Sequence, residues 1–192
     1  EVIQPASFPF SEDFEAGPPL SYYWKASSNS TGRIEVTTTN GPIGNYHLAM
    51  DSAGASTYAL NELTLVVDLA GHSMVILEYD WKNLGDEAHQ LPASWTGSAE
   101  GDGVAVSVDG VNWYRIADLT GGTVGVYQNV RIDLDDAVAA VGLSYTNTFR
   151  IRFQQYDNNP IPDDGFTLDN IELLQGTDDP LILTSSLPMA RL

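Results

Sequence analysis

Apolar and polar side chains alternate along most of this chain, and a helical period is almost absent. The alternation predicts strands over Arg33–Thr39, Tyr46–Asp51, Leu60–Asp68, Ser73–Lys82, Gly103–Val108, Trp113–Asp118, Tyr127–Asp133, Asn147–Gln155 and Phe166–Leu174. It is clearest where Leu77, Tyr79 and Trp81 take one face and Glu78, Asp80 and Lys82 the other, the pattern of a half-buried antiparallel strand. Asp109-Gly110 accepts the left-handed backbone of a hairpin turn, joining the strands on either side. One short helix is expected over Asp135–Val141, with acids at its start and Gly142 as its stop. Short strands with tight turns predict an all-β fold, a two-sheet antiparallel β-sandwich of jelly-roll type. The pattern fails from Gly176, which divides the chain into a sandwich over residues 1–175 and a linker or tail over 176–192, where Leu181-Ile182-Leu183 offers at most an edge strand.

Composition narrows what such a sandwich does. Its 192 residues carry 26 Asp and Glu against 8 Lys and Arg, a net charge of −18 that excludes nucleic-acid binding through phosphate contacts. No cysteine is present, so any metal must be held by oxygen or histidine. The apolar run Leu63–Val67, interrupted by Thr64, is far shorter than the roughly 20 residues of a membrane span. The acid excess and the use of Arg over Lys point to a secreted or surface-displayed protein, and the start at Glu1 to a piece of a longer chain with other domains attached.

Two acidic clusters lie at opposite ends of the sequence: Glu12, Asp13 and Glu15, then Asp163, Asp164 and Asp169. Terminal strands of a sandwich commonly become neighbours, which would gather these carboxylates with few cations beside them. Calcium, which takes six to eight oxygens in flexible geometry, would relieve the repulsion; simple solvated loop charge is the competing reading. Glu12, Asp13, Glu15, Asp164 and Asp169 are the candidate calcium ligands.

The stretch from Asn83 to Asp102 has no strand pattern and carries Asp86, Glu87, His89 and Trp95. Loops of this length are usually functional or disordered, and Trp95 has no alternating apolar neighbours to bury it. Its indole is a candidate stacking surface for a sugar ring or a protein partner, unless it folds back to cap the sandwich. Tyr156, Asp157 and Asn158 form a second candidate, able to stack on a glycan and bond its hydroxyls; Asp157 could equally serve the cation. Trp113 is expected to pack behind its hairpin.

Catalytic constellations are weak. Glu78 and Asp80 resemble a glycosidase carboxylate pair, but Lys82 takes the next outward position. There is no GxSxG, no HxxxH and no phosphate loop. The expectation is therefore a non-enzyme.

The opening Phe10-Ser11-Glu12-Asp13-Phe14-Glu15, with Pro18-Pro19 and Trp24, resembles the start of cleaved-adhesin and choice-of-anchor jelly rolls of bacterial surface proteins. The closing Asp164-Gly165-Phe166-Thr167-Leu168-Asp169-Asn170-Ile171 is similar to the end of those domains and of MAM domains, and Ser107–Trp113 resembles a hairpin of extracellular sandwiches. The absence of MAM cysteines favours the bacterial branch. The resemblance implies a structural calcium between first and last strands, mapping onto Glu15 and Asp169 with help from Glu12, Asp13 or Asp164. It further implies a packed Trp24 and a calcium-stabilised module binding a polysaccharide or glycan, with a protein-adhesion module as the alternative and a jelly-roll hydrolase or lyase third.

Overall fold

A computed structural model describes residues 4–18 and 20–177. Glu1, Pro19 and the tail from residue 178, including Leu181-Ile182-Leu183, lie outside the described residues.

The strands are β1 (Phe10–Glu12), β2 (Trp24–Ser28), β3 (Gly32–Thr37), β4 (His47–Ser52), β5 (Ala59–Val67), β6 (Val75–Asn83), β7 (Ser94–Thr96), β8 (Gly103–Ser107), β9 (Asn112–Asp118), β10 (Gln128–Asp133), β11 (Phe149–Asp157) and β12 (Phe166–Gln175), with one helix, α1 (Leu134–Ala140). Each strand expected from the alternation is present within two residues of its expected ends. Three were not expected: β1 and β7, three residues each and too short for a period to show, and β2, whose side chains after Trp24 are all exposed.

Two antiparallel sheets face each other. Sheet A runs β2-β5-β11-β8-β9-β7, and sheet B runs β10-β6-β12-β4-β3 with β1 on the edge of β12. The first and last strands are therefore neighbours, as expected, with Phe10 opposite Leu173 and Glu12 opposite Ile171.

Alternate residues of both sheets fill the space between them. Leu63, Leu65, Val67, Val104, Val106, Phe149, Ile151 and Phe153 come from sheet A; Leu48, Met50, Leu77, Tyr79, Trp81, Leu168 and Leu173 come from sheet B. Each such side chain contributes roughly 1.5–3 kcal/mol by leaving water. Tyr79 meets Phe153 edge-to-face across the layers at 5.2 Å, the geometry that the ring quadrupoles favour. Trp24 is buried in this core, as expected.

The β8–β9 hairpin turns at Asp109-Gly110, with Gly110 at φ +75°. The turn is a four-residue loop in which the Asp109 carboxylate accepts the backbone N–H groups of Val111 and Asn112. Helix α1 is capped by Asp133, whose carboxylate accepts the Asp136 N–H.

Candidate functional site

Register determines which side chains of sheet A point away from the core, because cross-strand partners share a face. Phe149, Ile151 and Phe153 of β11 point inward, so Arg150, Arg152, Gln154 and Tyr156 point outward. Their partners on β5 are Val66, Thr64, Glu62 and Leu60, and Lys25 of β2 lies opposite Thr64. On the other side Arg152 faces Ala105 of β8, which faces Arg115 of β9; Trp113 shares that face and Trp95 of β7 lies directly opposite it. Four of the chain's 8 cationic residues, Lys25, Arg115, Arg150 and Arg152, thus stand on one face of a protein with net charge −18.

This face holds a hollow of about 290 Å³ lined by Lys25, Thr64, Val66, Asp109, Gly110, Trp113, Thr148, Arg150 and Arg152. Trp113 forms its floor, and the Arg152 guanidinium lies on the indole at 3.6 Å. Arg152 is pinned by Glu62 at 2.6 Å and donates to Thr64 Oγ1 at 3.2 Å. Trp113 therefore packs on the outward face of the sheet. It is packed, only 1% exposed, on the face it shares with Ala105 and Arg115.

Further along β11, Tyr156 stacks on Tyr58 at 4.9 Å and 12°. The His89 ring stands edge-on to both, at 5.3 Å from Tyr156 and 5.8 Å from Tyr58. Tyr58 keeps 48% of its surface exposed, so this pair is the aromatic surface most open to solvent on the face. From Arg150 to Tyr156 the strand spans about 20 Å. Between the two ends the 97–101 loop crosses the sheet, where Gln154 Nε2 donates to the carbonyls of Ala99 and Gly101.

Trp95 is not in a free loop. It sits in β7, paired with β9, half-buried with its indole N–H enclosed. The stretch expected to lack a strand is stitched to the sheet by this three-residue segment, and Trp95 shares the outward face without being its exposed platform. Asn158 reaches Glu87 instead, donating at 2.8 Å.

Behind the tyrosine pair, at the end of the sandwich, three buried carboxylates converge. Asp86, Asp157 and Asp164 each bring an oxygen within 4.8 Å of the others, and among the described residues no other three acids or histidines do so. Two glycines permit the approach. Gly85, at φ +107°, would place a Cβ 2.6 Å from the Asp163 carbonyl, and Gly165, at φ +105°, would place one 2.7 Å from the Met50 carbonyl. The Leu84 N–H donates to the Gly165 carbonyl and ties the two loops together.

Few donors reach this centre. Gln155 Nε2 donates to Asp86 at 3.2 Å and to Asp157 at 2.7 Å, but one oxygen of Asp86 and one of Asp164 are buried without any partner. Desolvation, then the charges of Asp102 and Asp157, push the Asp86 carboxyl far above the ordinary range. Desolvation, with Asp157 and Glu87 pressing on it, does the same to Asp164. Asp102 is buried beside them and accepts the N–H groups of Tyr156 and His89, linking the carboxylate centre to the aromatic pair.

Of the acids expected to bind calcium, only Asp164 enters this centre, joined by Asp157. The others are separately satisfied. Glu12 accepts the Trp24 indole N–H and the Phe14 N–H, and Asp13 accepts the Glu15 N–H. Glu15 accepts both backbone N–H groups of Asn45 and Tyr46 and the Asn45 amide, which hold its carboxyl below the ordinary range. Asp169 accepts the Ile43 and Asn170 N–H groups and lies near enough to Glu15 and Lys82 for their charges to register on one another. Lys82 donates to the carbonyls of Asn40 and Gly41, supplying a positive charge beside the first and last strands. Asp86, Tyr58 and Arg152 were not singled out as ligands from the sequence; the glycine preceding Asp86 was the available signal.

No protein-family model matches the chain, and no curated protein matches it. Solved structures do. The family 11 carbohydrate-binding module of the cellulosomal cellulase Lic26A-Cel5E of Clostridium thermocellum is 14% identical, with 89% of this chain and 96% of that one covered and a TM-score of 0.52. The module TmCBM61, in complex with β-1,4-galactotriose, is 15% identical over 85% of this chain and 94% of that one, with a TM-score of 0.51. The CBM22-1 xylan-binding domain of Paenibacillus barcinonensis Xyn10C is 15% identical over 88% and 94%, with a TM-score of 0.50. The fold is the jelly-roll β-sandwich of those modules. At such identities the likeness is one of fold, and function rests on this chain's own face.

Proposed function

We propose that the protein is a non-catalytic carbohydrate-binding module that lays a polysaccharide along the outward face of sheet A. The observation that carries this reading is the face itself: a hollow backed by Trp113 and Arg152 at one end and the solvent-open Tyr58–Tyr156 pair at the other. The exposed Tyr58 of the tyrosine pair offers a plane to the apolar face of a sugar ring, while Lys25, Thr64 and Arg150 offer hydrogen bonds to its hydroxyls at the hollow, whose Trp113 floor is covered by Arg152. The xylan and galactotriose named with two neighbours of the same fold support the ligand class.

Catalysis fits poorly. Glu78 and Asp80 lie on the outward face of sheet B, where Arg131 bonds Glu78 at 2.6 Å and the amides of Asn129 and Asn170 bond Asp80. Secretion or surface display in a longer bacterial chain, of the adhesin-like kind that the terminal motifs resemble, completes the reading. Among the described residues no helix is long and apolar enough to cross a membrane. A protein partner remains the second reading, favoured by an open hollow of about 420 Å³ where His72, Leu143 and Tyr145 meet Val138 and Ala139 of α1.

Calcium belongs to the same reading, with its ligands reassigned. Asp86, Asp157 and Asp164 fit a hard cation by their donor chemistry and by the two buried carboxylate oxygens left without partners. The ion would neutralise the centre and fix the loop that sets His89 against the tyrosines.

Affinity electrophoresis through gels of xylan, galactan and mixed-linkage glucan tests the binding reading. Retardation by at least one polymer, weakened in Tyr58→Ala, is expected. Retardation by none of these, together with no binding to anionic polysaccharides, in a normally folded protein would overturn it.

A further inference from the structure

We infer that the hollow on sheet A selects an anionic sugar, one bearing a uronate carboxylate or a sulfate ester. This deepens the carbohydrate-binding reading and rests on it.

In a chain with 26 acids and 8 bases, a cation has carboxylates to spare. Arg33 is held by Asp51 and Glu35, Arg115 by Asp118, Arg131 by Glu78 and Arg152 by Glu62. Lys82 is spent on two carbonyls beside Asp169. Among the described residues, Lys25, Lys82 and Arg150 have no carboxylate within 4.0 Å; Lys82 lies on sheet B with its ammonium on two carbonyls, and Lys25 and Arg150 both line this one hollow.

Arg150 is already positioned. Its guanidinium donates to the Val108 and Thr148 carbonyls at 3.3 and 3.0 Å and packs where a Cβ on Gly110 would come within 2.9 Å. A guanidinium fixed in advance loses little entropy on meeting two oxygens of a carboxylate or sulfate, and Lys25 adds a point charge. Asp109 is the one acid lining the hollow, but its oxygens are occupied by two backbone N–H groups, the Asn112 amide and the Ser107 hydroxyl. It braces the hairpin, and Glu62 neutralises only Arg152. The two unpaired cations are thus left for a ligand, and the hollow is open enough at about 290 Å³ to admit a sugar residue.

The test compares matched polymers that differ only in charge: polygalacturonate against its carboxyl-reduced form, and a sulfated galactan against its desulfated form. Calorimetric titration of the purified protein should give at least about tenfold tighter binding to the charged member of one pair. A preference in the first pair identifies the carboxylate, and in the second the sulfate. Lys25→Gln and Arg150→Gln should each cut the preference several-fold, and the double variant should bring it near unity. Arg131→Gln, on sheet B, should leave it unchanged. Equal binding within both pairs, or a preference that survives in the folded double variant, overturns the inference while leaving neutral-sugar binding standing. Binding to none of the four polymers would overturn the inference, and with silence in the neutral-polymer gels the carbohydrate reading as well.

Discussion

The two outward faces of the sandwich are built from the same kinds of residue and finish in opposite states. On sheet B, Arg131 takes Glu78, Arg33 takes Asp51 and Glu35, Asp80 is filled by amides, and the loop carrying Asn40, Gly41 and Ile43 donates to Asp169 or receives Lys82. On sheet A, two cations remain unpaired, an arginine lies on an indole, and two tyrosines stack toward solvent. A surface that satisfies its own polar groups has little to offer a ligand, because each new bond must break an old one. A surface with unspent donors and flat apolar planes has bonding capacity in reserve.

Substitutions sharpen this contrast, beginning with the largest effect. Tyr58→Ala should weaken polysaccharide binding by ten- to a hundredfold in calorimetry, the scale of an aromatic hot spot. Asp80→Asn on the opposite face should change it less than twofold.

Next comes the carboxylate centre. If one ion binds only the native state, calcium at a hundredfold excess over its Kd stabilises by about 2.7 kcal/mol, so chelation should lower the melting temperature by several degrees. Asp164→Asn should abolish that dependence, whereas Glu15→Gln should leave it intact. The reverse pattern would return the cation to the first and last strands.

Gly85→Ala comes third. Its added methyl would sit 2.6 Å from the Asp163 carbonyl in a positive-φ backbone, costing about 1–3 kcal/mol in chemical denaturation.

The smallest effect comes from His47, buried on sheet B with Nδ1 bonded to Tyr127 and Nε2 unpartnered. Burial, aided by Lys82, depresses its pKa to about 4. The unfolded chain binds this proton near pH 6.5 and the native state does not, so stability falls as pH drops from about 6.5 toward 4. The loss should be about 1–2 kcal/mol by pH 5, and His47→Gln should flatten that part of the profile.

Legibility in the sequence followed the range of the interactions. The long strands were readable because one buried face imposes a period of two, as Leu77, Tyr79 and Trp81 show. Strand β2, Trp24–Ser28, was not: after its buried first residue its side chains are exposed, so nothing alternates. The face of Trp113 follows from the pairing of Ala105 with Arg115, which only the folded register determines. The acidic ends met as β1 and β12, yet most of their carboxylates found backbone N–H groups within one or two residues or in the 43–46 loop, which acid density alone does not reveal. The converging centre needed Asp86 to meet Asp157 and Asp164 from a distant loop, a tertiary event with only the Gly85-Asp86 step to announce it.

Whether the outward face of sheet A binds polysaccharide is decided by calorimetric titration of wild type and Tyr58→Ala with soluble xylan, galactan, mixed-linkage glucan, polygalacturonate and a sulfated galactan, in calcium. Saturable binding to at least one polymer by the wild type, and a ten- to a hundredfold loss in the folded variant, is expected. Absence of heat with every polymer, or equal binding by the variant, would contradict it.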